Sequence, residues 1–237
     1  MPSLSILPLE NYSSISYPYR DLARLGEQVV NKQPLIDSYE ILDPRVPCDG
    51  NFRVIHGSGT FKDPFEIGLD GNDTLNWLEK MAYELFGSRY PTKASETQYH
   101  LLAITYSKIA LIDDDEYIYG IANMDGRNAV ISGYYNRHSF MSRSRLTSLA
   151  LHELGHNFGL DHHNIPVESV DGYCPMSTNS DIEEHERKTG TNPRDLLRKI
   201  RGKPLRGSYY CHDCLKILRT YEQPRNAYVP LRTIISI

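Results

Sequence analysis

The chain has 237 residues, with 26 Lys and Arg against 30 Asp and Glu for a formal charge of −4. That length buries a core without disulfides and fits one large domain or two small ones. The mild acidity argues against a nucleic-acid binder working by bulk positive charge. No apolar run approaches the roughly 18 residues of a membrane helix; the longest, Leu101–Thr105 and Ala129–Ser132, are strand-sized. Met1–Tyr19 lacks the basic start and apolar block of a secretory signal, being interrupted by Asn11, Ser13, Ser14 and Pro18. Four cysteines do not make a disulfide scaffold, and Cys211-His-Asp-Cys214 has the spacing of a metal knuckle. In a reducing compartment metal ligation is the natural use of such thiols. A cytoplasmic monomer without membrane or nucleic-acid partners is the expectation.

In chain order, residues 1–19 are polar and aperiodic and read as an arm laid across the body. Asp21–Asn31 reads as a short helix, with Leu22, Leu25 and Val29 at helical spacing. Lys32–Asp70 is rich in proline and glycine and holds short strands such as Phe52–His56, but no long element. Asn72 or Asp73 caps a helix carrying Leu75, Leu78, Met81, Ala82 and Leu85, which Gly87 ends. Leu101–Tyr106 is a buried-type strand. Glu116–Ala122 and Asn128–Ser132 are two more, antiparallel around Asp125-Gly126. The acidic run Asp113–Glu116 reads as a solvated turn rather than a calcium loop. Ser144–Phe158 is the most helical segment, with Leu146, Leu149, Ala150 and Leu154 on its apolar face and Gly159 as its stop. Ser180–Glu183 is a capping box opening a polar helix toward Gly190, and Pro193 starts another to Arg201. The basic run Arg194–Arg206 reads as a solvated helix face.

Residues 152–163 read HELGHNFGLDHH. His152 and His156 are four apart and so share one face of a helix, at the separation two ligands of one zinc require. Glu153 beside them can reach a water at that metal without ligating it. Gly159 lets the chain leave the helix with positive φ, and three residues on His162 can swing back as a third ligand. Three protein ligands leave a fourth position open, the arrangement of a catalytic rather than a structural zinc.

The extended HExxHxxGxxH string resembles the signature of the metzincin metallopeptidases, and its surroundings look most like the archaemetzincins. The resemblance takes in EYIYGIA…GRNAVIS upstream, and Cys174-Pro-Met176 and the Cys211–Cys214 pair followed by Leu215-Lys-Ile-Leu downstream, covering about residues 100–218. It implies that Met176 is the Met-turn residue beneath the catalytic zinc. It also implies a second, structural zinc at positions held here by His163, Cys174, Cys211 and Cys214. Histidine at 163 departs from the family's cysteine, but Cys3His is a sound zinc set. Adjacent residues of an extended chain point oppositely, so His162 and His163 can serve different ions. Ten residues separate His163 from Cys174, and 34 separate Met176 from Cys211, both long for the family. Cys48 and His212 remain alternatives for the fourth ligand.

The implied fold is α/β (α+β) and metzincin-like: a mixed twisted sheet with an antiparallel edge strand, a backing helix and an active-site helix. An irregular C-terminal subdomain with the structural zinc follows. The division is 1–70 as an N-terminal extension, 71–159 as the subdomain ending in the active-site helix, and 160–237 as the subdomain of Met-turn and knuckle, all in one catalytic domain. The implied activity is hydrolysis of peptide bonds with Glu153 as general base, using about two zinc ions per chain. Strand Glu116–Ala122, at the sheet edge as the resemblance implies, would pair with an extended peptide. Resemblance further implies aminopeptidase action on small peptides. An endopeptidase, or a knuckle that binds protein or nucleic acid with little catalysis, are the alternatives. Tyr209 and Tyr210 are conceivable transition-state donors among 17 tyrosines.

Overall fold

The computed structural model describes residues 2–9, 19–42, 68–86, 99–111, 116–136, 139–140, 143–178, 181–182, 184–185, 188, 206–221 and 233–236. Its centre is a six-stranded mixed sheet. Four of its strands are β1 (Ser3–Pro8), β2 (Ser38–Ile41), β4 (Tyr99–Thr105) and β8 (Asn128–Ser132), which run parallel in the order β8-β4-β1-β2. On the far side of β8 lie β7 (Gly120–Asn123) and β13 (Thr233–Ser236), each antiparallel to its neighbour. Apolar side chains occupy both faces of the parallel strands, as a sheet covered on both sides requires. Leu102 and Ile104 of β4 face one core layer with Leu4, Ile6 and Ile131, while Leu101 and Ala103 face the other with Leu7 and Val130.

The first layer is closed by α1 (Tyr19–Lys32) and α3 (Arg143–Asn157), whose Leu22, Leu25, Val29, Leu149 and Leu154 join it. The second is closed by α2 (Gly71–Phe86) through Leu75 and Leu78. Asp70 caps α2 by accepting from the Asp73 N–H at 2.9 Å, so the cap lies ahead of the Asn72 or Asp73 predicted for it. Smaller pieces complete the frame: β3 (Gly68–Asp70), β5 (Lys108–Leu111) and β6 (Glu116–Ile118) form a three-stranded sheet. The pairs β9 (Tyr134–Asn136) with β10 (Ser139–Phe140), and β11 (Glu168–Ser169) with β12 (Gly172–Tyr173), are short hairpins, and α4 spans His212–Thr220. None of the described helices is long and apolar enough to cross a membrane.

Three expectations change. Residues 3–8 are not an arm but an interior strand between β2 and β4. The serines that disguise it are accommodated, since the Ser5 hydroxyl donates to Glu40 Oε1 at 2.7 Å. Glu116–Ala122 divides at Tyr119, so that β6 joins the small sheet and only β7 the large one. Nor is β7 the edge: the antiparallel edge strand is β13. The hairpin β7–β8 turns as predicted, closed by Gly126 N–H donating to Asn123 O at 3.0 Å. Asp125 rather than Gly126 takes the left-handed conformation, with φ 52°. The strand predicted at Phe52–His56, the Pro193 helix and most of the acidic and basic runs lie outside the described residues. Of the Ser180–Glu183 box, Asp181 and Ile182 are described and are helical, and the cap there is Thr178 rather than Ser180, its Oγ1 accepting from the Asp181 N–H at 3.2 Å.

Candidate metal centres and active site

Helix α3 is buried nearly all round from Leu146 to Asn157, so its polar residues face other protein groups rather than water. Two hydrogen bonds from Asn157 Nδ2, to Asn123 O at 2.9 Å and Asn128 O at 3.1 Å, pin its C-terminal end to the β7–β8 hairpin. The helix then stops in a Schellman motif: Leu160 N–H reaches Gly155 O and Gly159 N–H reaches His156 O, both at 3.0 Å. Gly159 sits at φ +73°, where a Cβ would strike the Asp125 carboxylate. This reversal returns His162 to the helix.

The Nε2 atoms of His152, His156 and His162 form a nearly equilateral triangle with sides of 3.2, 3.1 and 3.1 Å. Two nitrogens each about 2.05 Å from a tetrahedral zinc stand about 3.3 Å apart, so the triangle matches one face of that polyhedron. The opposite ring nitrogens are committed to carbonyls: His152 Nδ1 donates to Pro175 O at 2.5 Å, and His156 Nδ1 to Leu160 O at 2.7 Å. A carbonyl only accepts, so the proton is on Nδ1 and the Nε2 lone pair faces the centre. Burial, followed by neighbouring positive charge, holds His152 well below the ordinary imidazole range and His156 at about 3; burial lowers His162 as well. The three rings are therefore neutral near pH 7 and ready to ligate without losing protons.

Glu153 is fully buried, packed against the first residue of β7: a Cβ on Gly120 would stand 2.7 Å from its Cδ and 2.9 Å from its Cγ. Its carboxylate attracts the guanidinium of Arg206 electrostatically. Sequence reasoning placed Arg206 at the end of a solvated basic run, yet it is only 6% exposed. Burial pulls its guanidinium down to about 10 against the attraction of Glu153 and Cys174. Its strand-like bridge to Tyr173 holds its backbone beside the Cys174 turn. Nothing in the local sequence distinguishes it from the other arginines of that run. Tyr210 is spoken for: buried, its hydroxyl donates to Leu151 O and accepts from Gln33 Nε2 at 3.0 Å, which makes it a strut of α3. Tyr209 is 41% exposed, with Lys32 Nζ 4.6 Å above its ring.

The second group of donors lies on the other side of one turn. Cys174-Pro-Met-Ser177 is a β-turn closed by Ser177 N–H to Cys174 O at 2.9 Å, with proline at the position that favours its φ. Pro175 O accepts from His152, Met176 O accepts from His163 N–H at 3.0 Å, and Met176 Sδ lies against Gly155 of the histidine helix. Cys174 turns its sulfur the other way, 3.8 Å from Cys214 Sγ. His163 Nε2 is 3.4 Å from both Cys211 Sγ and Cys214 Sγ. The four donor atoms all lie within 4.8 Å of one another. Sulfurs about 2.3 Å from a tetrahedral zinc are about 3.8 Å apart, the separation of Cys174 Sγ and Cys214 Sγ. Cys211 is the N-cap of α4 and Cys214 lies in its first turn. A hydrogen bond from Cys214 holds Cys174 down to about 4, while burial raises Cys211 and the Cys174 bond raises Cys214. His162 and His163 thus face different centres, as adjacent residues of an extended chain do. Of the alternatives, His212 is exposed and outside the group, and Cys48 lies outside the described residues.

The chain thus combines a mixed sheet, covered by helices on both faces, with two groups of potential metal donors. Two solved structures make the fold more specific. An archaemetzincin from Methanopyrus kandleri matches with TM-score 0.52 at 16% identity, over 92% of this chain and 93% of that one. A zinc-dependent peptidase from Methanocorpusculum labreanum matches with TM-score 0.55, also at 16% identity, over 92% and 100%. No family model and no curated protein sequence matches the chain. The fold is the archaemetzincin fold.

Proposed function

We propose that this chain is a zinc-dependent peptidase. The observation that carries the reading is the convergence of three Nε2 atoms to 3.1–3.2 Å of one another, with Glu153 on the same helix beside them. His152, His156 and His162 are the residues that would hold a zinc ion with one position open. When bound, such an ion supplies Lewis acidity and lowers the pKa of a coordinated water toward about 7. Glu153 accepts the proton of the attacking water and returns it to the leaving amine. Arg206 places a buried positive charge that interacts with that carboxylate. The Cys174–Ser177 turn keeps the rings aimed, through Pro175 O on His152 and Met176 packed on Gly155 between the two helical histidines.

His163, Cys174, Cys211 and Cys214 would hold a second zinc whose four protein donors leave no place for substrate, so its role is structural. The structural neighbours, an archaemetzincin and a zinc-dependent peptidase, support peptide substrates. Aminopeptidase-like action on small peptides is the form the resemblance favours, and such an enzyme leaves N-blocked peptides intact, whereas an endopeptidase cleaves them. Glu153→Gln tests the core of the reading. It should keep about two zinc ions per chain and lose hydrolysis about 10²- to 10⁴-fold; peptide cleavage at the parent rate would contradict it.

A further inference from the structure

The outer edge of β7 is the stretch of sheet that touches the catalytic helix at Glu153, and it is already taken. β13 lies along it antiparallel, with Thr233 opposite Asn123, Ile234 opposite Ala122, Ile235 opposite Ile121 and Ser236 opposite Gly120. Gly120 is the residue whose backbone the Glu153 side chain abuts. The segment therefore runs toward the carboxylate and meets β7's Glu153 end at Ser236. Pairing of this kind is made by main-chain N–H and C=O groups, so the edge accepts extended peptide as a chemical class. Of the catalytic group, His152, Glu153 and His156 have no exposed surface and His162 alone is partly exposed.

We infer that β13 is an internal peptide seated on the substrate-binding edge of β7, and that an extended peptide gains the site only by displacing it. This rests on the peptidase reading for what the edge is used for, but the competition itself is a binding property. Apparent affinity for an added peptide then equals the intrinsic affinity scaled by the fraction of molecules whose edge is open.

The experiment uses the full zinc-loaded chain carrying Glu153→Gln, so that no probe is consumed. The probe is a fluorescein-labelled peptide LRTIISI, the sequence of residues 231–237, read by fluorescence anisotropy. Ile234→Pro with Ile235→Pro removes the ladder N–H whichever of the two adjacent residues supplies it. With zinc content unchanged, this variant should bind the probe about tenfold or more tightly than the parent. Equal binding overturns the inference. Should the prolines prevent folding, Ala122→Cys with Ile234→Cys provides the opposite test, since directly opposed residues of antiparallel strands lie within disulfide range. Oxidised, the staple should abolish probe binding, and reduction should restore it; an oxidised form that binds as well as the reduced one refutes the inference. Probe binding that obeys these rules in a chain whose Glu153 parent cleaves no peptide would sink the peptidase reading alone. Cleavage with probe binding indifferent to either variant would sink the inference alone.

Discussion

The two donor groups share one turn yet are built on opposite principles. The histidine triangle draws two rings from a single buried helix and one from the reversal after it, is wholly nitrogenous, and uses only three donors. The thiol group collects its donors from three separate places, at residues 163, 174 and 211–214, and has four. A rigid helix presents ligands with little reorganisation and leaves a coordination position free. Donors gathered from distant loops give a closed set that ties those loops together. Geometry of this kind separates a centre suited to chemistry from one suited to holding a fold.

Breaking the closed centre should have the largest effect on stability. Replacing Cys211 and Cys214 with serine should remove one zinc and cost on the order of 5 kcal/mol or more, because metal binding there is folding energy. Metal analysis and thermal unfolding check it. An unchanged zinc count would remove the structural role.

Acid sharpens the comparison from the other side. In the zinc-free chain, burial holds His100 and His156 at about 3, far below the ordinary imidazole value. Above about pH 6.5 neither folded nor unfolded chain protonates them. Below it the unfolded chain takes the protons first, so stability falls as pH falls, by up to about 1.4 kcal/mol per unit for each histidine, until the folded values are reached. Urea midpoints at pH 7.5 and pH 5 measure this, and a flat profile contradicts the neutral buried rings. The smallest effect belongs to Gly159→Ala, which forces a side chain into positive φ against Asp125. It should cost about 1–3 kcal/mol and weaken zinc binding at the triangle more than at the thiols; equal losses at both would show that the helix reversal does not aim His162.

What the sequence reveals follows the range of the interaction. The histidine helix is legible because its ligands lie within eleven residues and helical spacing alone puts two of them on one face. The Cys211–Cys214 pair is legible from its own spacing, whereas Met176 and the grouping of His163 and Cys174 with that pair come from family resemblance; Cys174 and Met176 share one turn, with Cys214 Sγ 3.8 Å from Cys174 Sγ. Elements made by distant pairing are not legible. β1 carries alternating serines and ends in proline, and only its neighbours β2 and β4 make it an interior strand. β13 is a four-residue stretch whose place on β7 depends on a partner more than 100 positions away. Arg206 looks like any arginine of a basic run until the fold buries it beside Glu153 and Cys174. Gly120 acquires meaning only when Glu153 is packed on it.

Diffraction at the zinc absorption edge from crystals of the metal-loaded chain is the most direct test. It should place one ion about 2.0–2.1 Å from the Nε2 atoms of His152, His156 and His162, with no fourth side chain attached. Rings turned away from a common point, or a fourth protein ligand closing that ion's coordination, would contradict the account.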